Sequence, residues 1–243
     1  MRAMLARVAA LAVLALWASS GAAQAALSLE EVDDYVLALT WHPGFCAGAG
    51  QGRDECRDGD GGPLVLHGLW PGLPASLARD GVGRGEWNRE GCFRFAPERS
   101  GPFCSIEPLI LDRALEAELE RVMPGERSCL DRYQFAKHAS CFDISPERYF
   151  TQAVSLFEEV ERSRFAAWLF DHRGEAVGRN ALIQAFRDAF GADGRALMLV
   201  CDRADNLTEL RIGLDARRID EFPASASFSR LGTGRCGGRI TLR

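Results

Sequence analysis

Between Asp34 and Trp41 the chain alternates. Tyr35, Leu37, Leu39 and Trp41 share one face, and Val36, Ala38 and Thr40 share the other. A period of two over eight residues predicts a β-strand. Shorter apolar runs at 63–66, 196–200, 209–214 and 239–242 predict further strands, the first of them ending at His67. The spacing turns helical over 107–123, where Leu111, Leu115, Leu119 and Val122 recur on one side and Pro124-Gly125 stops the run. A second helix is predicted over 146–162, capped by Ser145, with Tyr149, Phe150, Val154, Phe157 and Val160 turned inward. A third follows Asn180, with Leu182, Ile183, Phe186 and Phe190 inward and Gly191 closing it. These aromatic stripes read as core packing.

Two tracts lack either period. Residues 46–62 form a glycine-rich, charged loop, and the absence of a following helix argues against a nucleotide-binding fingerprint. Residues 74–103 form a long Gly- and Arg-rich excursion of the kind that carries either binding function or mere insertion. No repeat, low-complexity tract or interdomain linker interrupts the chain.

The first 25 residues read as a secretory signal peptide. Arg2 and Arg7 precede a short apolar stretch, and Ala23-Gln24-Ala25 forms an A-x-A cleavage site. One domain from Ala26 to Arg243 is then expected, in the periplasm or outside the cell. Losing the two leader arginines takes the formal charge from −5 to −7. An acidic protein draws nucleic acid only weakly through its overall field, so any polyanion must meet a local positive cleft. Eight cysteines in an exported chain imply a disulfide framework. Structural zinc has no support: there is no C-x-x-C, and His138-x-x-Cys141 is a lone half-site. No metal or cofactor is expected.

Of 29 basic residues, 28 are arginine, and the single lysine, Lys137, stands directly before His138. Lysine is a compact point charge where arginine is a broad fork. His67 sits at a predicted strand end before Gly68. Two imidazoles facing one substrate can serve as general acid and base near neutral pH, and a nearby ammonium can stabilise charge growing on a phosphoryl oxygen. His42, before Pro43, and His172, after a helix-like stretch, need no such role. The absence of G-x-S-x-G leaves serine-hydrolase chemistry unsupported, and Ser140 is only a sequence neighbour of His138.

The runs Val65-Leu66-His67-Gly68-Leu69-Trp70-Pro71 and Arg132-Tyr133-Gln134-Phe135-Ala136-Lys137-His138-Ala139-Ser140-Cys141 resemble the two active-site segments of the ribonuclease T2 family. The first strand followed by Phe45-Cys46 matches that family too, and Asp54-Glu55-Cys56 is similar to its bacterial periplasmic branch. The resemblance implies an α+β fold, with an antiparallel sheet packed by several helices. It implies metal-independent cleavage of single-stranded RNA, through a 2′,3′-cyclic phosphate to a 3′-phosphate, by a monomer. On it, His138 would be the base toward the 2′-hydroxyl, His67 the acid toward the 5′-oxygen, Lys137 the stabilising cation and Trp70 a substrate-positioning ring. Tyr133 and Phe135, with Phe142, are candidates for base stacking. It also implies the disulfides Cys104–Cys141 and Cys201–Cys236, leaving Cys46–Cys56 and Cys92–Cys129 as the simplest remainder.

One departure bears on turnover. The family usually has glutamate where this chain has Gln134, which can accept or donate a hydrogen bond but carries no charge. Two readings follow: an active endoribonuclease slowed at Gln134, or a weak or inactive module that binds RNA on the same fold. Retention of His67, Lys137 and His138 favours the enzyme.

Overall fold

The computed structural model describes residues 26–57, 62–232 and 234–243. The expected signal peptide lies outside them. Strand β1 (Asp34–Trp41) runs into helix α1 (His42–Ala47), and strand β2 (Leu64–Pro71) returns beside it. The excursion carries two short helices, α2 (Ala75–Arg79) and α3 (Arg84–Glu90), followed by 3₁₀ turns at Gly91–Arg94, Pro97–Arg99 and Phe103–Ser105. Then come α4 (Arg113–Val122), α5 (Leu130–His138), α6 (Pro146–Glu161) and α7 (Arg164–Asp171). Strand β3 (Ala176–Gly178), helix α8 (Arg179–Phe190) and strands β4 (Leu197–Cys201), β5 (Leu207–Asp215) and β6 (Arg239–Thr241) complete the order.

The main sheet is antiparallel, ordered β2-β1-β5-β4, and β3 pairs with β6 in a second small sheet. The period of two sorts its faces. Leu37, Leu39, Trp41, Leu66, Leu69, Leu210, Ile212 and Leu214 are buried on one side, where Tyr149, Phe150 and Phe157 of α6 join the same core. Deleting one such leucine side chain costs about 2–5 kcal/mol. The other face carries Val36, Ala38, Thr40, Glu209 and Arg211, and α5 packs over its β2 edge.

The helix expected over 107–123 starts later, at Arg113. Asp112 caps it by accepting from the amides of Ala114 and Leu115, each at 2.9 Å. Upstream, Pro108 favours extended backbone before it, and Ile110 projects into solvent.

Two disulfides differ from expectation. Cys46–Cys56 and Cys201–Cys236 are present, but Cys92 pairs with Cys141 and Cys104 with Cys129. The reason is α5, which holds Cys129 and Cys141 at its opposite ends. The turn at Gly91–Arg94 packs on the C-terminal end so closely that a Cβ on Gly91, at φ +53°, would collide with the Lys137 carbonyl. The turn at Phe103–Ser105 covers the N-terminal half, where Phe103 stacks on Tyr133 with centroids 4.0 Å apart. Each cysteine bonds the partner at its own end of the helix.

Candidate active site

His67 owes its direction to a β-bulge. Leu39 pairs with Leu66 and Ala38 with Gly68, so His67 is the extra residue of β2. Bulges re-aim side chains in this way beside functional sites. Regular alternation would put His67 and Trp70 on opposite faces, since they are three residues apart. The inserted residue lets both face the cleft while Leu66 and Leu69 both stay in the core. Tyr149 fixes the strand just beyond the bulge: its hydroxyl donates to the Leu69 carbonyl at 2.8 Å and accepts from the Leu69 amide at 3.3 Å.

Helix α5 supplies the opposite wall. Gln134, Lys137 and His138 are spaced i, i+3 and i+4, which places them on one face, with Tyr133 at its edge. All four line a cleft of about 640 Å3 together with His67, Trp70 and Arg211. Phe135 does not join them. The helical turn sends it to the other side, where its ring meets Tyr149 edge-on at 5.9 Å, so the expected substrate contact is replaced by packing. Phe142 is likewise buried, against Trp87.

Trp70 stands between the two histidines. His138 stacks on it with centroids 5.2 Å apart, and His67 meets it edge-on at 5.3 Å. Its indole N–H donates to Gln134 Oε1 at 2.7 Å. That bond crosses directly over Gly68: a Cβ there would sit 2.9 Å from Trp70 Nε1 and closer still to Gln134 Oε1. Gln134 is thus almost fully buried and acts as an anchor for the tryptophan. The Arg211 guanidinium lies 4.9 Å from the centre of the Trp70 ring, and Lys137 Nζ lies 5.8 Å from that of Tyr133.

Two residues of the site carried no motif. Glu209 Oε2 is 2.8 Å from His67 Nδ1, and its other oxygen accepts from Arg211 Nε. The signal was present in β5, where Glu209 and Arg211 alternate with the apolar Leu210 and Ile212 and so share one face of a central strand.

The two histidines have different surroundings. Burial holds His138 well below the ordinary imidazole range, and Lys137, His67 and Arg211 push it the same way. Lys137 is also lowered, first by burial and then by Arg211. Burial pushes Glu209 upward, but the His67 hydrogen bond, the charges of His67 and Arg211 and the Arg211 bond outweigh it, so its net shift is down. A proton on His67 therefore meets a carboxylate, and a proton on His138 meets cations.

A second, largely apolar pocket of about 390 Å3 opens on the other side of His67, walled by Thr40, Phe45, Phe103, Leu130 and Tyr133. Its floor holds two buried polar groups. Glu55 accepts from the Ser128 hydroxyl, and His42 Nε2 has no partner among the described residues. Burial lowers the pKa of His42, and Glu55 partly offsets this. His172 is remote from both pockets, bonded to the Trp168 carbonyl at 2.8 Å.

The profile of the Ribonuclease T2 family matches residues 32–222. The chain belongs to the ribonuclease T2 family. It is 37% identical to Ribonuclease I of Escherichia coli (strain K12), over 97% of this chain and 96% of that one. It is 32% identical to a ribonuclease of Aeromonas hydrophila, over 61% of this chain and 55% of the relative. Among solved structures, the S-like ribonuclease trichomaglin superposes with a TM-score of 0.59 at 18% identity, covering 87% of this chain and 98% of that one. Ribonuclease MC1 from bitter gourd seeds gives 0.55 at 16%, covering 86% and 99%. The T2 fold class, an antiparallel sheet with several helices and four disulfides, is thus the one expected, and the protein is an endoribonuclease. Among the described residues no helix is long and apolar enough to cross a membrane.

Proposed function

We propose that this T2 ribonuclease cleaves single-stranded RNA by metal-independent transesterification, with His138 as base and His67 as acid. The observation that carries the reading is the unequal pair: one imidazole bonded to a carboxylate, the other stacked on Trp70 among cations. A base must be neutral to take a proton, and burial first, then the cations around it, favour the neutral form of His138. An acid must be oriented toward its leaving group, and the Glu209 carboxylate fixes the His67 ring through Nδ1. Environments that separate two like groups assign their roles.

His138 removes the 2′-hydroxyl proton as that oxygen attacks the adjacent phosphorus. His67 protonates the departing 5′-oxygen, which leaves a 2′,3′-cyclic phosphate. In the second step the roles reverse: His67 takes a proton from water, the water oxygen attacks phosphorus, and His138 returns a proton to the 2′-oxygen, giving a 3′-phosphate. Lys137, assisted by Arg211, faces the negative charge that grows on the nonbridging oxygens, where a fixed cation in a partly dry cleft outweighs the same cation in water. Trp70 orders both rings, and Gln134 and Arg211 order Trp70.

The reading also implies a direction for the RNA. The nucleotide that carries the attacking hydroxyl sits on the His138 side, over Trp70 and Tyr133. The base beyond the scissile phosphate enters the apolar pocket past His67, where Phe45 and Phe103 offer stacking surface and the buried His42 and Glu55 offer hydrogen bonds. Four disulfides fit a protein that folds in an oxidising compartment. The expected product is a monomeric, exported single domain from Ala26 to Arg243, freed of residues 1–25.

The test is turnover of a single-stranded RNA by the oxidised mature chain in EDTA beside a His67→Ala control. Cyclic phosphate ends that vanish in the control are the expected result. Activity abolished by EDTA, or undiminished in His67→Ala, would remove the mechanism.

A further inference from the structure

The protein is acidic overall, yet arginines gather at one end of the cleft. Arg230 lines the cleft on the Trp70 side, beside Arg211 and Met198. Its Nε donates to Asp193 Oδ2 at 3.0 Å, and Arg195 Nη2 donates to the same oxygen at 3.0 Å. The Leu231 amide donates to the Arg195 carbonyl at 2.8 Å, which fixes the two arginines side by side. Beyond them a small pocket of about 210 Å3 is lined by Arg179, Arg187 and Arg195. Asp193 is the carboxylate on its wall among the described residues, and it is held down to about 2, first by its hydrogen bonds to Arg195. It therefore stays charged at any working pH and neutralises one guanidinium of the two it touches. Arg187 is exposed, has no hydrogen-bond or ion-pair partner among the described residues, and lies along Gly194. Arg179 donates to the Cys236 carbonyl at 3.0 Å and stands fixed at the pocket edge.

Among the described residues Asp193 is the carboxylate bonded to Arg195 and Arg230, and none is bonded to Arg187. One carboxylate orders two arginines, and further guanidiniums stand next to them in a continuous path out of the cleft. Spaced guanidiniums on a solvent face are what a sugar–phosphate backbone meets, and in an acidic protein only a local track can supply them. We propose that Arg230, Arg195 and Arg187 form a track for the phosphates on the 5′ side of the cleavage site. This deepens the functional reading above and rests on it for direction: Arg230 shares the cleft with Arg211, which lies over the Trp70 ring on which His138 stacks, and that reading puts the nucleotide carrying the attacking hydroxyl there.

The test uses chimeric oligonucleotides with a single ribonucleotide in a deoxy chain: a minimal one, one extended by ten nucleotides on the 5′ side, and one extended equally on the 3′ side. In the Arg187→Gln/Arg195→Gln protein, kcat/KM on the 5′-extended substrate should fall about tenfold, chiefly through KM, as two phosphate contacts imply. The minimal and 3′-extended substrates should be cleaved as before. The slope of log(kcat/KM) against log salt on the 5′-extended substrate should become shallower by about 1.4. Arg187→Gln alone, which removes no bond within the fold, should give part of the loss at unchanged Tm. Equal losses on all three substrates, a loss on the 3′ extension, or no loss would each overturn the track. Anisotropy with an uncleavable all-deoxy 12-mer separates this inference from the catalytic one. If the wild-type protein cleaves nothing, the mechanism fails, and an unchanged Kd in the double variant then overturns the track as well. If the wild type cleaves all three substrates without any 5′ advantage, the track fails and the mechanism stands.

Discussion

His67 and His138 reach one cleft from scaffolds of different kinds. His67 rides on a bulged strand at the sheet edge, with its ring tied to Glu209 of β5 two strands away. His138 is the last residue of a nine-residue helix, held by the Cys92–Cys141 disulfide just beyond it and stacked on Trp70, and among the described residues no carboxylate pairs with it. Two copies of one side chain thus meet opposite electrostatic surroundings: His67 Nδ1 faces a carboxylate, while burial and nearby cations lower the proton affinity of His138. A cross-strand carboxylate favours the charged ring, and a crowd of cations together with burial favours the neutral one. Part of the asymmetry comes from Lys137 within the second histidine motif, and part from Glu209 and Arg211 outside both motifs.

The largest effects come from removing either member. His67→Ala and His138→Ala should each lower kcat by about 10³- to 10⁴-fold, in the upper part of the general acid–base range. Their double variant should lose little more, because the two act in one step. A double loss equal to the product of the single losses would mean that they act independently. Lys137→Gln comes next, with about 10²- to 10³-fold in kcat for one transition-state cation. It also removes a positive neighbour, so the proton affinity of His138 rises and the acid fall of kcat/KM moves to higher pH. In the wild type that fall should lie below the ordinary imidazole value of about 6.5, since a depressed base stays neutral further into acid.

Glu209 and Arg211 probe the two histidines separately: Glu209 bonds His67, and Arg211 is one of the cations that lower the proton affinity of His138. Glu209→Gln keeps a hydrogen-bond acceptor but deletes the charge opposite His67. Turnover should fall about tenfold, for the loss of a charge-assisted bond worth ~1.5 kcal/mol. Arg211→Gln should instead shift the acid limb upward, as Lys137→Gln does, by a smaller amount. A purely structural role for Arg211 would lower activity evenly across pH, so the pH–rate profile decides it.

Much of this site could be read in the chain, for a physical reason. Strand β1 was legible to the residue because alternation is a local property, and His67, Lys137 and His138 stood out through their immediate neighbours. What could not be read depended on contacts across the fold. The strand expected over 63–66 continues to Pro71 because a bulge, which has no local signature here, keeps Leu69 in the core. Helix α5 has almost no apolar stripe, since one face lines a cleft and the other packs on a loop, so periodicity passed over it. With the helix unseen, Cys129 and Cys141 could not be assigned to opposite ends, and Phe135 could not be separated from Tyr133. Glu209 lies 142 residues from His67, and only the pairing of β1 with both β2 and β5 brings them together.

Gln134→Glu, the one variant expected to raise turnover, is the finest probe of the asymmetry. The glutamate keeps an oxygen for the Trp70 N–H, so the ring between the two histidines stays in place. It adds a negative charge beside Lys137 and His138, in the half of the cleft where cations otherwise hold His138 neutral. Burial opposes that charge, but the neighbouring cations favour it, so the carboxylate should ionise near neutral pH. His138 then becomes a stronger base that is still neutral at pH 7, and kcat should rise about tenfold, the equivalent of ~1.4 kcal/mol in a single polar transition-state contact. The acid limb should move upward with it. KM should rise as well, because the new charge repels the phosphate. Gln134→Ala provides the control: it frees the Trp70 N–H and should lower kcat without moving the limb. If Gln134→Glu leaves both kcat and the limb where they are, then position 134 serves only to hold Trp70, and the neutrality of His138 rests on burial and on Lys137 and Arg211 alone.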